Sequence, residues 1–372
     1  MKVPPLDLAA ERAELAGEIE AAMGQVLESG AFILGETVKS FEHAAAGYLG
    51  AGHAIGVANG TDAMILAMKA AGVGPGQEVV TTPFTFFATI EAIIHVGAKP
   101  VFVDIDPDTF NLDPGALWDA ITPKTTAVLP VDLYGQPADL DEIGKIARQR
   151  NLLVIEDAAQ AFGAEWQGRK IGAISDLTCF SFYPTKNLGA YGDGGMVTTN
   201  SPNLAREVTL LRGHGESRRY EHELVGFNSR LDALQAAVLH AKLPHLDRWN
   251  ETRDRLALNY SEELLQVDGV RVPGRMPYVK HVWHQYTIRV LEGRRDAVKA
   301  ALAEAGIASQ VYYPIPAHRQ RALAHLEVPR GALPEAEKAA DEVLSLPIYP
   351  QLGEDRQGVV IDTLTEALKI AV

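Results

Sequence analysis

Runs of apolar and β-branched residues alternate with segments of helical periodicity over residues 54–199. Most runs are almost continuously apolar, which is typical of strands covered by helices on both faces. The pattern therefore predicts an α/β fold built on a mostly parallel sheet. The predicted strands are AIGVA (54–58), EVVTT (78–82), PVFVDI (100–105), TAVLPV (126–131), LLVIED (152–157), LTCFSF (177–182) and GMVTT (195–199).

A leading helix and one strand pair differ from the regular alternation of strands and helices. The helix is predicted over Glu11–Leu27, ahead of the sheet, and ends before Gly30. Strands LTCFSF and GMVTT are joined by a short glycine-rich stretch that leaves no room for a helical crossover. We therefore expect this pair to be antiparallel, which makes the sheet mixed.

The pattern changes after Pro244. A long charged helix at 245–265 precedes the strand YTIRV (286–290) and a helix from Arg295 to Gly306. Because 372 residues exceed what one hydrophobic core usually organises, we predict two domains. Residues 1–245 form the large one, with an N-terminal arm, and residues 246–372 form a smaller α+β domain.

Composition excludes some functions. The net charge of −14 argues against a nucleic-acid surface, which needs clustered Lys and Arg, although single cationic groups can still hold a small anion.

The one cysteine, Cys179, excludes an intrachain disulfide and lies in an apolar strand, where a thiol is usually inert. The start of the chain lacks the apolar stretch of a signal peptide, and no segment is apolar enough to span a membrane, so we expect a cytoplasmic protein without a membrane partner.

Ligands of such sheets bind beyond the carboxyl ends of the strands. After the first strand, Asn59, Gly60, Thr61 and Asp62 open a helix whose free N–H groups suit a phosphate. A simple helix cap needs the same residues. Neither the P-loop nor the dinucleotide fingerprint is present, so ATPase and dinucleotide functions lose support.

Two further strand ends carry ionisable groups. Glu156 and Asp157 are adjacent in a strand, so only one of them can face a site. Asp157 could cap the next helix or pair with a cationic ring nitrogen. Lys186 lies in an apolar, glycine-flanked loop; burial would lower its pKa and free the amine as a nucleophile, whereas the alternative is an ordinary surface lysine.

The ordered motifs resemble the DegT/DnrJ/EryC1/StrS family of nucleotide-sugar aminotransferases, within the fold type I pyridoxal-phosphate enzymes. The resemblance spans nearly the whole chain and implies a large cofactor-binding domain followed by a smaller one. Its motifs are NGTDA (59–63), TTPFTFFAT (81–89), GAKPVFVDID (97–106), VLPVDLYGQPADL (128–140), VIEDAAQAFGAEWQGRKIG (154–172), SFYPTKNLGAYGDGG (181–195), LRGHG (211–215), GFNSRLDALQAA (226–237) and VYYPIPAHRQ (311–320).

The resemblance assigns catalytic roles to two residues. Lys186 would attach pyridoxal phosphate and, once released, move a proton between the substrate and the cofactor. Asp157 would pair with the ring nitrogen of the cofactor. Phe86 would stack on the ring, and Gln160 would approach its hydroxyl side.

The resemblance also implies binding roles and a homodimer with shared active sites. Gly60, Thr61 and Ser181 would hold the cofactor phosphate, and Asn228 would reach the phosphate of the partner subunit. Arg230 would attract the carboxylates of the amino donor. The segment 228–230 could also be a capping turn before a helix over 231–241. No residue is assigned to a metal.

The remaining expectations concern the substrates, an amino-acid donor such as glutamate and a nucleotide-linked keto-sugar. The family places substrate contacts at Tyr183, Tyr313 and His318. YPTKNLGAYGDGG (183–195) resembles members that aminate C3 of a 3-keto sugar. A 4-keto-sugar or aminocyclitol aminotransferase and a non-catalytic regulatory protein remain alternatives, whereas a dehydratase of the family would carry histidine in place of Lys186. Arg212, Arg218 and Arg219 are candidates for binding the diphosphate.

Overall fold

A computed structural model describes residues 2–370, and a seven-stranded sheet is its largest element. The strands are β1 His53–Val57, β2 Glu78–Thr81, β3 Lys99–Phe102, β4 Thr125–Leu129, β5 Leu153–Asp157, β6 Glu165–Trp166, β7 Arg169–Lys170, β8 Leu177–Ser181, β9 Gly195–Thr199, β10 Glu216–Arg218, β11 Glu221–His222, β12 Val270–Arg271, β13 Val279–Lys280, β14 Tyr286–Val290 and β15 Val343–Leu346.

Helices cover the sheet and build the rest of the molecule. They are α1 Leu8–Ser29, α2 Glu36–Leu49, α3 Gly60–Ala70, α4 Ala88–His95, α5 Pro114–Ala120, α6 Leu140–Arg150, α7 Pro202–Arg212, α8 Ala233–Lys242, α9 Leu246–Leu264, α10 Arg295–Glu304, α11 Pro334–Glu342 and α12 Glu354–Ile370. Short 3-10 turns occupy Leu133–Gly135, Leu243–His245, Ala317–Arg319 and Arg321–Leu326.

The large sheet runs in the order β1-β9-β8-β5-β4-β2-β3. Strand β9 is antiparallel to both neighbours, β1 and β8, and every other pairing in this sheet is parallel. The α/β fold with a mixed, mostly parallel sheet is thus confirmed. The third strand is shorter than predicted and ends at Phe102, because the Asp104 carboxylate leaves the sheet to accept the backbone N–H groups of Glu335 and Ala336 at the start of α11.

A second sheet, β12-β14-β15, supports a separate apolar core formed with α9, α10 and α12. Val3 from the N-terminal arm joins this core and pairs with Ile307 through a parallel bridge. Between the two regions, β13 pairs with β6 in a further small sheet. The domain division at residue 245 stays a prediction. Over residues 2–370, none of the helices combines the length and apolar character required to cross a lipid bilayer.

Candidate active site

A cavity of about 960 Å³ opens at the carboxyl ends of the parallel strands. It brings together residues that are far apart in sequence, because strands β5 and β8 are neighbours and end on the same edge. Nine of the predicted site residues line it: Gly60, Thr61, Phe86, Asp157, Gln160, Ser181, Tyr183, Lys186 and Tyr313.

Lys186 lies in a tight loop after β8. Its backbone N–H donates to the Tyr183 carbonyl at 2.8 Å, and the loop closes so sharply that a Cβ at Gly189 would lie 2.4 Å from the Pro184 carbonyl oxygen. Asn187 is buried and anchors the loop by donating from Nδ2 to the Val282 carbonyl. Burial lowers the pKa of Lys186 to about 8, although the charge of Asp157 opposes the shift.

Asp157 ends β5 and is buried on the wall of the cavity. Its Oδ2 accepts a hydrogen bond from Thr89 Oγ1 at 2.7 Å, and its Oδ1 accepts one from the backbone N–H of Ala159 at 3.1 Å. Burial raises the pKa of Asp157, while the two hydrogen bonds and the charge of Lys186 oppose that shift. Within residues 2–370, no Lys, Arg or His forms an ion pair with this carboxylate.

Helix α3 begins at Gly60, so the N–H groups of its first turn point out of the helix end. Asn59 caps this turn, since its Oδ1 accepts the Asp62 N–H at 2.8 Å. A Cβ at Gly60 would lie 2.7 Å from the Ser181 Cβ, so only glycine allows β8 to approach this closely. Asn59 thus caps α3, and Gly60, Thr61 and Ser181 line the cavity beside the start of this helix.

Aromatic rings form another wall. Phe86 is 60 % exposed, and its ring centroid lies 6.1 Å from that of Tyr313. Gln160 spans the distance between two elements: its Oε1 accepts the Tyr134 N–H at 2.6 Å, and its Nε2 donates to the Tyr313 hydroxyl at 3.2 Å. The amide of Gln160 is thus held in one orientation beside the cavity.

Three predicted residues lie outside this cavity. His318 is buried, and its Nε2 contacts Glu337 Oε1 at 3.1 Å, so its position gives no support to a substrate contact. Asn228 is exposed and bridges to Gly213 rather than to the site of its own chain. Arg230 is half-buried and likewise does not line the cavity.

Two other expectations need correction. Helix α8 begins at Ala233 with Asp232 at its N-cap, so segment 228–230 does not cap it. Arg212 is buried, pairs with Glu42 and donates to the Gly56 carbonyl at 2.7 Å, which leaves it unable to bind a diphosphate. Arg218, in contrast, lies exposed on the β10–β11 hairpin.

Several residues at or next to the cavity were not predicted from the sequence. Thr89 is the most informative: it lies behind the cavity lining, its hydroxyl donates to Asp157, and it lies 2.9 Å from the hydroxyl of Thr85, which lines the cavity. The spacing of Thr85 and Thr89, one helical turn apart in TTPFTFFAT, was the available signal. His284 and Gln285 come from the far side of Pro244, and nothing in their local sequence marks them.

A buried lysine and a buried carboxylate line one cavity at the carboxyl edge of a mixed α/β sheet of this order, which is the architecture of fold type I aminotransferases. The sequence model of the DegT/DnrJ/EryC1/StrS aminotransferase family matches residues 13–365. The chain belongs to this family.

Relatives extend over the same length. A "pleiotropic regulatory protein" of Geobacillus stearothermophilus is 50% identical over 368 residues, covering 98% of both chains. A UDP-N-acetyl-3-dehydro-alpha-D-glucosamine 3-aminotransferase of Acidithiobacillus ferrooxidans is 46% identical, covering 95% of both. The crystal structure of Streptomyces venezuelae DesV with a ketimine intermediate superposes with a TM-score of 0.96 at 45% identity, covering 98% of both.

Proposed function

We propose that the protein uses pyridoxal phosphate to move an amino group from an amino acid, glutamate in the first instance, to C3 of a nucleotide-linked 3-keto sugar. The observation that carries this proposal is that Lys186 and Asp157 line the same cavity. Burial lowers the pKa of the Lys186 amine, which favours its neutral, nucleophilic form, and Asp157 offers a carboxyl group to a cationic ring nitrogen.

The residues present fit the cofactor. Asp157 is a buried carboxylate without a cationic partner inside the described chain, which suits a protonated ring nitrogen. The close approach of Gly60 to Ser181 leaves backbone N–H groups for a phosphate at the start of α3. Phe86 offers an exposed aromatic face at the same cavity.

When bound, pyridoxal phosphate supplies a carbonyl carbon that carries the amino group and a ring that withdraws electrons from it. Lys186 would hold that carbon through Nζ, and the amine of the donor would take its place and release the lysine as a free amine. Because burial lowers the pKa of Lys186 to about 8, a larger fraction of the released amine is neutral near pH 7 than for a free lysine. Lys186 would then move the proton from the donor Cα to the cofactor carbon, and in the second half-reaction it would move a proton in the reverse direction, from the cofactor carbon to the sugar carbon that receives the amine.

Two observations support a 3-keto sugar as the acceptor. The loop sequence YPTKNLGAYGDGG resembles that of members acting at C3, and the Acidithiobacillus relative bears the name of a 3-aminotransferase. Tyr183 is 54 % exposed at the cavity wall, and Tyr313 lines the same cavity and accepts a hydrogen bond from Gln160, which supports a role for both in contacting the sugar.

We also propose a homodimer in which Asn228 and Arg230 act in the partner's site. Exposed apolar side chains flank this segment: Val225 and Phe227 precede it, and Ile33 bridges to Asp232 just after it. Exposed apolar patches of this kind mark protein interfaces. A dimer would explain why the two predicted residues lie outside the cavity of their own chain.

A regulatory function is the second candidate, because the Geobacillus relative bears the name of a regulatory protein. A protein that only regulates has no use for a lysine whose burial disfavours its charge beside a buried carboxylate. The two functions differ in the visible absorption spectrum that they predict: an aminotransferase binds pyridoxal phosphate and responds to glutamate, whereas a protein that only regulates does not.

The decisive experiment is the visible absorption spectrum of the purified protein with pyridoxal phosphate, before and after glutamate is added. We expect a band from lysine-bound cofactor that bleaches with glutamate and returns with 2-oxoglutarate. Failure to bind the cofactor would contradict the catalytic proposal. If the cycle works, 3-keto and 4-keto nucleotide sugars should be compared by product NMR, and amination at C4 alone would refute the C3 assignment.

A further inference from the structure

A second, smaller cavity of about 90 Å³ adjoins the candidate active site. Thr185, His284, Gln285 and Tyr312 line both cavities and form the partition between them. The small cavity has room for about three water molecules, so it cannot hold a nucleotide sugar. It is therefore distinct from the substrate site in both position and capacity.

Two side chains that can carry a positive charge, Arg253 and His284, are among the described residues that line this cavity. Arg253 lies on helix α9 and carries a positive charge. Its side chain is 4 % exposed and donates from Nη1 to the carbonyl of Ile348 at 2.6 Å. Its Nε has no hydrogen-bond partner, and no acidic side chain within residues 2–370 lies within 4.0 Å of the guanidinium. A buried cation without a counter-charge is unfavourable unless an anion is supplied.

The lining of the cavity does not supply that anion. Burial lowers the pKa of Arg253 and the charge of Glu11 opposes that shift, but Glu11 pairs with Lys242 and lies outside the cavity lining. No Asp or Glu lines the cavity, and its other polar side chains include Gln310 and Thr185. Burial lowers the pKa of His284 well below its ordinary value, and Lys186 and Arg253 lower it further, so this histidine is neutral and adds no second positive charge. The residues that line the small cavity therefore carry one net positive charge, that of the Arg253 guanidinium.

We propose that this cavity is a binding site for one small monovalent anion, a halide ion or a carboxylate of one or two carbons, held by the Arg253 guanidinium. The anion would lie between Pro5 of the N-terminal arm, Leu346 at the end of β15 and Thr185 beside Lys186. Occupation would thus tie the arm and the smaller sheet to the lysine loop. This site does not depend on the proposed amino transfer.

Bromide diffraction of the wild-type protein tests the site directly. Crystals grown in bromide should show an anomalous peak beside the Arg253 guanidinium. Ordered water at that position at saturating bromide would overturn the proposal. This measurement needs no variant and stays informative even if substitutions of Arg253 fail to fold.

Thermal unfolding tests binding in solution. Replacing gluconate, which is too large for the cavity, by chloride at constant ionic strength should raise the Tm saturably, by roughly 2–4 °C. Arg253→Met should remove this chloride dependence, whereas Arg248→Met, on the same helix but exposed and paired with Glu14, should keep it. A bromide peak without any saturable change in Tm would show binding at crystal concentration only and would also overturn the proposal.

Discussion

The two faces of strand β5 carry adjacent carboxyl groups with opposite surroundings. Asp157 faces the cavity and receives hydrogen bonds from Thr89 and Ala159. Glu156 faces away, is completely buried and accepts from Thr178 Oγ1 at 2.9 Å, while its second oxygen has no hydrogen-bond partner within residues 2–370. Asp132 is also completely buried, and its Oδ2 likewise has no partner in that part of the chain.

This contrast shows that burial alone does not make a carboxylate functional. Burial raises the pKa of Glu156 and of Asp132, and Glu156 further raises the pKa of Asp132. Both groups are therefore shifted toward the protonated form, and Asp132 Oδ1 accepts the Ala138 N–H, which fixes the loop after β4. Asp157 instead lines the cavity, where a ligand can reach its carboxyl group. The following predictions test this difference between the faces.

The largest loss of turnover is expected from substitution of Lys186, which lines the same cavity as Asp157. Lys186→Ala should lower amino-transfer turnover by on the order of 10³-fold or more while the fold persists, because no other amine lines the cavity among the described residues. Turnover with glutamate and a keto-sugar, with circular dichroism as a folding check, measures this. Lys145→Ala, at an exposed site on α6, is the matched control. Substantial turnover in the Lys186 variant would refute the assignment.

The next prediction compares the two faces directly. Asp157→Asn should still bind pyridoxal phosphate but turn over on the order of 10²-fold more slowly, because a neutral amide no longer favours a protonated ring. Glu156→Gln should retain a rate close to that of the parent, since this side chain faces away from the cavity and an amide oxygen can still accept from the Thr178 hydroxyl. Equal losses in the two variants would show that the faces do not differ in function.

A smaller effect is expected at the phosphate cradle. Gly60→Ala should weaken pyridoxal phosphate binding roughly tenfold, because the added Cβ meets Ser181 and overpacking of this kind costs about 1–3 kcal/mol. A titration of the apoprotein measures the dissociation constant. Gly24→Ala, in α1, adds a Cβ that meets nothing within 4 Å and should leave the constant unchanged. Unchanged affinity in the Gly60 variant would place the phosphate elsewhere.

The smallest effect concerns the acid limb of the pH profile. Asp157 must be ionised, so activity falls as pH drops through its pKa. The hydrogen bond from Thr89 lowers that pKa, and Thr89→Val should therefore move the acid limb to higher pH by roughly one unit. Thr89→Ser keeps the hydroxyl and should restore the parent profile. A shift in the opposite direction would contradict the assigned hydrogen bond.

The sequence by itself determined the sheet class, the antiparallel hairpin of β8 and β9 and the residues at the strand ends. These depend on local information: continuous apolar runs, a connection too short for a helix, and alternation along β5 that separates Glu156 from Asp157. The family resemblance added the roles, and nine of its residues meet in one cavity.

Only the tertiary structure decided which polar groups remain free for chemistry. The sequence made Arg212 a candidate for ligand binding and did not mark Arg253, yet Arg212 pairs with Glu42, whereas Arg253 has no acidic group within 4.0 Å in the described chain. His318 is likewise engaged by Glu337, whose position 19 residues further on no local pattern indicates. Pairing of buried charges depends on distances between segments remote in sequence, which follow from packing rather than from local propensity.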